Sequence, residues 1–178
     1  MNKGIGGHVP ATPGERSDDW ITPREIIDAL GPFDLDPAAS ASQPWPTAAR
    51  MISPPDDGRL AGLWTGRVWL NPPYSDVEPW LERLADHGNG IALIFARTET
   101  KWFQRVVFGR ASAILFVAGR ITFYRPDGTV PKSTAGGPSA LVAYDGFLRR
   151  NAKSLFDVGN GRIRGRYIEP GARQSRPR

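Results

Sequence analysis

Apolar and polar positions follow two periods along this chain. Continuous apolar runs predict strands that are buried on both faces of a sheet, at 67–71, 90–96, 112–119 and 139–146. Apolar residues at helical spacing predict helices over 23–30, 75–88, 100–108 and 147–155. Strands that alternate with helices indicate an α/β fold with a mostly parallel sheet.

Weaker patterns predict three shorter strands, at Phe33–Leu35, Arg50–Ser53 and 121–126. The strands predicted for 112–119, 121–126 and 139–146 follow one another with no helix between them. Parallel neighbours need a long crossover connection, whereas antiparallel neighbours need only a short turn. At least one antiparallel strand is therefore expected near the C-terminal end of the sheet.

The first two helices carry start signals. A hydroxyl residue stands three positions before a glutamate at Thr22 and Glu25, and again at Ser75 and Glu78. This spacing predicts a capping box, in which each side chain accepts a hydrogen bond from an otherwise unpaired N–H group. Pro23 suits the first helical position after Thr22.

Composition narrows the class of protein. The chain has 178 residues, 40% of them hydrophobic and 23% charged, which suits one globular domain, predicted over 20–160. Disulfides and thiolate zinc sites are excluded because there is no cysteine, and the two histidines lie far apart, so no metal site is predicted. No apolar run approaches the roughly 20 residues that cross a bilayer, and residues 1–19 do not form a signal peptide. A cytoplasmic protein without membrane contact is expected.

Charge is concentrated near the C-terminus. The formal net charge is +5, and residues 162–178 carry six arginines against one glutamate. The segment 161–178 is therefore predicted to be a basic tail, which suits either a polyanionic partner or a solubilising disordered end. Residues 1–19, which are rich in glycine, proline and polar residues, are predicted to be disordered.

One short stretch suggests chemistry. Asn71, Pro72, Pro73 and Tyr74 follow directly after a predicted buried strand. The side-chain oxygen of Asn71 and the carbonyl of Pro72 are two acceptors on a rigid turn, and Tyr74 offers a flat apolar ring. This set fits a planar base with an exocyclic amine, whose two hydrogens the acceptors bind while an electrophile lies in line with its nitrogen. A Pro-Pro turn with a packing tyrosine is the structural alternative.

The tetrapeptide 71–74 resembles the (Asn/Asp)-Pro-Pro-(Tyr/Phe/Trp) box of amino-methyltransferases. In that family the electrophile is the sulfonium methyl of S-adenosylmethionine (SAM). A second stretch, Ser53-Pro-Pro-Asp56, is similar to a variant of the box associated with cytosine N-4 methylation. It lacks the aromatic residue and a convincing preceding strand, so it is predicted to be a loop.

The same resemblance implies a cofactor site in two earlier segments. Thr22-Pro23 is similar to a Thr-Pro pair at the methionine end of the cofactor, although a helix start explains it equally. FDLDPAAS resembles the first SAM-binding motif, with Asp34 or Asp36 toward the ammonium or ribose of SAM and Pro37-Ala38 forming the turn. Asp36 is preferred because it lies at the strand end, and an aspartate that caps a turn is the alternative. The usual Gly-x-Gly turn is replaced here by Pro37-Ala38-Ala39-Ser40.

The order of further segments extends the resemblance over residues 20–145. W-x-T-P, F-D-L-D-P-A-A-S, D-D-G, W-x-N-P-P-Y, L-I-F-A-R-T-E-T-K-W-F, G-R-I-T-F and P-S-A-L-V-A-Y together resemble the phage-type DNA N-6-adenine methyltransferases, the Dam family of phages and prophages. The resemblance implies a Rossmann-like SAM-dependent methyltransferase fold and methylation of adenine in DNA inside a bacterial host cell. It also implies that Asp57 contacts the cofactor adenosine. Here the sequence departs from the family pattern, because Arg59 follows Asp-Gly where an apolar residue is common, so the role of Asp57 is left open.

Methylation of a duplex requires the target base to be flipped out of the stack. Tyr74 would then stack on the base, and Thr98, Thr100 and Trp102 are expected to line its entrance. DNA phosphates are expected to contact cations near strand ends or in loops, namely Arg97, Lys101, Arg120, Arg125 and Lys132. A solvated surface is the alternative for each cation. No stretch is large enough for a separate target-recognition domain and only the loops 40–66 and 125–138 are available, so a short or relaxed recognition sequence is expected.

Two other functions share the tetrapeptide. Related enzymes methylate glutamine amides of release factors or the 2-amino group of guanine in ribosomal RNA, but they usually carry a Gly-rich first motif and additional binding segments. A catalytically inactive DNA-binding relative is the non-enzymatic alternative.

Overall fold

The structure, a computed structural model, describes residues 19–131 and 136–170. It contains a seven-stranded sheet with the order β2-β1-β3-β4-β6-β5-β7. The strands are β1 (Leu35–Asp36), β2 (Arg50–Met51), β3 (Val68–Leu70), β4 (Asn89–Phe95), β5 (Ala113–Val117), β6 (Ser139–Asp145) and β7 (Gly165–Ile168).

Strands β1 to β4 pair in parallel, whereas β6 is antiparallel to both β4 and β5, and β7 is antiparallel to β5. Strands β1 to β5 therefore point one way, and β6 and β7 point the other way. This arrangement confirms the predicted α/β class, the mostly parallel strand direction and the antiparallel strand near the C-terminal end.

Helices cover both faces of the sheet. They are α1 (Arg24–Leu30), α2 (Val77–His87) and α3 (Arg150–Gly159), with a 3-10 turn at Tyr74–Asp76 and a π-helical segment at Phe103–Phe108. α2 and the π-helical segment pack on one face, and α1 and α3 on the other. Within residues 19–131 and 136–170, no helix has the length and apolar character needed to cross a membrane.

The central strands are apolar on both faces because each face has its own hydrophobic cluster. In β4, Ala92 and Ile94 join the cluster beneath α2, and Ile91 and Leu93 join the cluster beneath α1 and α3. All four side chains are fully buried. Two buried faces explain why the sequence shows continuous apolar runs rather than alternation.

The helix predicted for 100–108 contains a local widening of its turns. Its π-helical segment lies over β6, where the buried hydroxyl of Tyr144 donates a hydrogen bond to the carbonyl of Val106 at 3.2 Å. Burial raises the pKa of the Tyr144 hydroxyl, so it remains a donor. The sequence pattern gives the helix but not this long-range contact.

Two local predictions are wrong. The capping box predicted at Thr22 does not form, because α1 starts at Arg24 after Pro23 and the hydroxyl of Thr22 has no hydrogen-bond partner among the described residues. α2 starts at Val77, and its cap residue is Asp76 rather than Ser75. Residues 121–126 do not form a strand, and only an isolated bridge joins Ile21 to Tyr124. That segment instead folds over the sheet edge and buries Ile121 and Phe123.

The folded region extends into the segment assigned to the basic tail. β7 uses residues 165–168 of the predicted tail 161–178, and its register places Ile168 opposite Ile114. Residues 1–18 and 171–178 lie outside the described residues.

The strand order reverses between β1 and β3, because β2 lies on one side of β1 and β3 on the other. In open α/β sheets, ligands bind beyond the carboxyl ends of strands at such a reversal. We call the side of the sheet where β1 to β5 end the carboxyl-end edge, and the opposite side the amino-end edge. Asp36 and Asn71 follow β1 and β3 to the carboxyl-end edge.

Candidate functional site

Asn71 is fixed by the chain segment that precedes α1. Its Nδ2 donates a hydrogen bond to the carbonyl of Trp20 at 2.7 Å, and its Oδ1 accepts one from the hydroxyl of Tyr74 at 3.2 Å. The contact with Trp20 uses the donor end of the amide. Oδ1, a carbonyl oxygen with two lone pairs, therefore keeps one acceptor position beyond Tyr74.

The ring of Tyr74 is half-buried and has aromatic neighbours. It stacks on Phe95 with a centroid distance of 4.1 Å and an interplanar angle of 16°, and it meets Phe123 edge to face at 6.3 Å. The turn continues with Asp76, whose N–H donates to the carbonyl of Pro73 at 3.2 Å. The tyrosine is thus held rigidly at the rim of the sheet.

The sequence reasoning missed the residues that surround this ring. Phe95 ends β4, and Ser139 lies directly across from it at the start of β6. Gly137 leaves room for the Phe95 ring, since a Cβ on Gly137 would lie 3.4 Å from it. An aromatic residue at the end of an apolar strand was the available signal, because Phe95 occupies the same kind of position as Asn71.

The structure brings Thr22 and Pro23 next to the Asn71 turn. Thr22 lies two residues after Trp20 and is 2% exposed, and its hydroxyl has no hydrogen-bond partner among the described residues. Its carbonyl accepts a hydrogen bond from the indole N–H of Trp45 at 3.0 Å. A buried hydroxyl without a partner costs free energy, so this group is a candidate for ligand contact.

Asp36 is buried at the end of β1 and holds the following turn. One carboxyl oxygen accepts a hydrogen bond from the N–H of Ala38 at 3.0 Å, and the other accepts one from the hydroxyl of Thr47. Burial raises the pKa of Asp36 to about 6, against the two hydrogen bonds that lower it. Buried Pro37 and half-buried Ala38 therefore form a turn whose shape depends on Asp36 and Thr47, a partner that the sequence reasoning missed.

Asp34 lies at the opposite end of β1. Its carboxylate accepts a hydrogen bond from the N–H of Arg67 at 2.6 Å at the amino-end edge. Gly66, with φ of +71°, lies against it, and a Cβ there would come within 2.4 Å of the Asp34 carboxylate. The structure thus gathers Asp36, but not Asp34, with Asn71.

A cavity of about 480 Å³ opens beside the end of β2. Its lining combines apolar side chains with two carboxylates: Arg50, Met51, Ile52, Ser53, Asp56, Asp57, Leu60 and Ala61. Asp57 reaches this cavity because Gly58 packs on the turn after β1, where a Cβ would lie 1.8 Å from the carbonyl of Pro37. The glycine of the D-D-G segment is therefore needed for close approach of two loops.

The predicted DNA-contacting cations gather at the carboxyl-end edge. Arg97 follows β4, Lys101 begins the next helix, and Arg120 and Arg125 follow β5. All four are exposed, and none forms an ion pair within the described part of the chain. Lys132 lies outside the described residues.

The residues predicted to line the base entrance have different surroundings. The hydroxyl of Thr100 donates to the carbonyl of Arg97 at 2.8 Å and accepts from the N–H of Phe103 at 3.3 Å, so it caps the helix that follows. Thr98 is exposed, and half-buried Trp102 packs against the cluster beneath α2.

Comparison with known proteins gives one family. The model of the family described as DNA N-6-adenine-methyltransferase (Dam) matches residues 10–162 of this chain. No solved structure gave a significant match.

Two curated relatives carry the same description. The DNA N-6-adenine-methyltransferase of Escherichia phage T1 is 34% identical in an alignment 122 residues long that covers 62% of this chain and 49% of the relative. That of Haemophilus phage HP1 (strain HP1c1) is 26% identical in an alignment 137 residues long that covers 71% of this chain and 78% of the relative. The matched region thus spans about half the length of the T1 protein.

Proposed function

The chain belongs to the DNA N-6-adenine-methyltransferase (Dam) family, and on that basis we propose that it transfers a methyl group from SAM to the exocyclic amine of adenine in DNA. One observation carries the proposal: Asn71 Oδ1 and the Tyr74 ring lie together beside the strand-order reversal. The hydroxyl of Tyr74 lies 3.2 Å from Asn71 Oδ1. A Rossmann-like fold is part of this proposal. Both curated relatives are phage proteins, which favours a phage- or prophage-encoded enzyme in the cytoplasm of a bacterial host.

We infer that Asn71 and Pro72 bind the amine of the target base. The amide of Asn71 is oriented by Trp20, so Oδ1 faces the amine without having to turn. Two acceptors that bind both amine hydrogens leave the nitrogen lone pair directed at the methyl donor. Tyr74, supported by Phe95, offers the base a ring to stack on, which is worth about 1–3 kcal/mol.

The residues present fit SAM as the methyl donor. The cavity at the end of β2 joins apolar Met51 and Ile52, which suit a flat purine, to the carboxylate of Asp57, which suits ribose hydroxyls. The buried hydroxyl of Thr22, which has no partner in the described part of the chain, suits the polar methionine end. When bound, SAM supplies an electrophilic methyl group on sulfur.

The sequence predicted that Asp36 contacts SAM directly, whereas this proposal gives Asp36 an indirect role. Both of its oxygens are used by Thr47 and Ala38, and its side chain is buried. We infer that Asp36 shapes the Pro37-Ala38 turn, which in turn packs on the loop that carries Asp57.

DNA phosphates are bound in this proposal by Arg97, Lys101, Arg120 and Arg125. Their exposed side chains, which form no ion pair with other residues of the described ranges, surround the edge at which Asn71 lies. Cations that neutralise phosphates release counterions, so DNA affinity is expected to fall steeply as salt rises.

The proposal is tested with tritiated SAM and two duplexes, one with adenine and one in which every A·T pair is replaced. Label is expected only in the adenine-containing duplex, as N-6-methyladenine after digestion. Tyr74→Ala is expected to lower the rate at least tenfold, and Tyr74→Phe, which keeps the ring, less than threefold. Label in neither duplex despite tight DNA binding would instead indicate an inactive DNA-binding relative.

A further inference from the structure

We propose that Arg59 is a positioning residue that couples the cofactor cavity to the turn that carries Tyr74. The inference rests on the proposed function, because it assigns the cavity to SAM and the turn to the target base.

Arg59 is bound to the cavity side through Asp57. Its Nη2 and Nε lie 3.0 Å and 3.2 Å from the two carboxylate oxygens of Asp57, and its backbone N–H donates to the same carboxylate at 2.8 Å. These hydrogen bonds are the main reason that the pKa of Asp57 is lowered. The Asp57 carboxylate is therefore held ionised and in one orientation at the wall of the cavity.

The other end of the same guanidinium reaches the turn that carries Tyr74. Arg59 Nη1 lies 2.7 Å from Oδ2 of Asp76, the last residue of the Tyr74–Asp76 turn. Asp76 stands at the N-terminus of α2 but makes no side-chain capping hydrogen bond, so its carboxylate serves this bridge. The planar guanidinium thus binds two carboxylates at once, which a lysine ammonium on a flexible stem does less well.

A rigid surface supports the bridge from below. The guanidinium carbon of Arg59 lies 5.5 Å from the ring centroid of Trp80, which is 6% exposed in α2. Exposed ion pairs are weak, and Arg59, Asp57 and Asp76 are all partly exposed, so the bridge contributes little to overall stability. Its effect is positional, since it fixes the distance between two loops whose ligands must meet.

Asp76 provides the decisive test because it does not line the cavity. If Arg59 acts only through Asp57, then Asp76→Asn leaves SAM binding unchanged. If the bridge couples the two loops, then Asp76→Asn weakens SAM binding without touching the cofactor.

The experiment uses the full-length protein and measures the SAM dissociation constant by calorimetry, together with kcat and KM for methylation. Arg59→Met is expected to weaken SAM binding about tenfold and to lower kcat severalfold, and Asp76→Asn to weaken SAM binding about threefold. The Arg59→Met/Asp76→Asn double variant is expected to equal Arg59→Met alone, since both changes break one bridge. Arg59→Lys is expected to fall between wild type and Arg59→Met.

Arg105→Met is the matched control. Arg105 also bridges two carboxylates, those of Glu78 and Glu82, on the exposed side of α2. It is expected to leave the SAM dissociation constant and the melting temperature unchanged. The coupling would be overturned if the Asp76→Asn variant bound SAM as tightly as wild type, or if the effects of the two changes were additive in the double variant. If the wild-type protein binds SAM but methylates no DNA, the proposed function fails while the calorimetric test still decides the coupling.

Discussion

The two edges of the sheet differ in how completely their buried polar side chains are hydrogen-bonded. At the amino-end edge, Arg67 donates hydrogen bonds to Asn151 at 2.6 Å, to the carbonyls of Leu30 and Pro32 at 2.6 and 3.2 Å, and to Ser154 at 3.2 Å. At the carboxyl-end edge, the buried hydroxyls of Thr22 and Ser139 have no partner within the described residues. The indole N–H of Trp69, in the core, is a third such atom.

This contrast separates stability from function. Asn151 is fully buried and also binds Asn89 and the carbonyl of Tyr144. Removal of Arg67 or Asn151 therefore leaves several buried polar groups without a hydrogen-bond partner. Unpaired buried groups are costly, and native proteins keep them where a ligand or water serves them. We therefore expect mutations at the amino-end edge to change folding, and mutations at the carboxyl-end edge to change methylation.

Asn71→Ala is expected to have the largest effect, at the carboxyl-end edge. It removes an acceptor for the target amine, and loss of one such preorganised hydrogen-bonding group slows an enzyme about 100- to 1,000-fold. Single-turnover methylation should fall by this factor, while calorimetry should show SAM affinity within twofold of wild type. Joint loss of SAM binding and of the folded state would show that residues 71–74 are only a structural turn.

Arg67→Met is the converse change at the amino-end edge. It is expected to lower the free energy of unfolding by about 3 kcal/mol, because four acceptors lose their buried donor. Urea denaturation measures this change, and kcat per folded molecule should stay unchanged. Arg110→Met, which breaks the exposed pair with Asp86, is the control and should cost at most about 0.5 kcal/mol. Equal effects of the two variants would remove the contrast between the edges.

Asp36→Asn tests a buried carboxyl beside the site. The pKa of Asp36 is raised from 3.8 to about 6, so the fold favours the protonated form, and the stability that this form gives is complete below pH 3.8 and is lost as pH rises through 6. The asparagine variant has no such loss. At pH 7 it is expected to be more stable than wild type by about 2 kcal/mol.

Urea unfolding at pH 4.5, 5.5 and 7 measures this pH dependence. The difference in unfolding free energy between Asp36→Asn and wild type should grow with pH. A difference that is constant across this range would show that the carboxyl does not titrate within it.

Ser139→Ala is expected to have the smallest effect. Its hydroxyl has no partner among the described residues, so its removal should leave the free energy of unfolding equal or raise it by up to about 1 kcal/mol. Ser154→Ala is the matched change at the other edge. There the hydroxyl accepts from Arg67 and donates to the carbonyl of Arg150 at 2.9 Å, so its removal should cost about 1 kcal/mol. Thermal melting measures the stability of both variants. A larger loss of stability in Ser139→Ala than in Ser154→Ala would contradict the comparison.

The sequence missed β7 and wrongly predicted a strand over 121–126. It did determine the central strands, the order of the helices and the position of the Asn71–Tyr74 turn. These features follow from local patterns, since a continuous apolar run must be buried on both faces and a Pro-Pro pair must end a strand. The sequence placed Arg97, Lys101, Arg120 and Arg125 near strand ends or in loops, whereas their position at one edge follows from the fold, in which residues 121–126 do not form the predicted strand.

Only the tertiary structure decided which polar residues meet. Arg67 and Asn151 are 84 positions apart in the chain, and Asn71 and Trp20 are 51 apart, so no local period signals either contact. The sequence favoured Asp36 over Asp34 by its position at the strand end, but it did not show that Asp34 binds the N–H of Arg67 or that Asp36 is buried against Thr47. The local pattern of apolar residues predicts which side chains are buried, whereas a long-range hydrogen bond needs a partner that only folding brings into place.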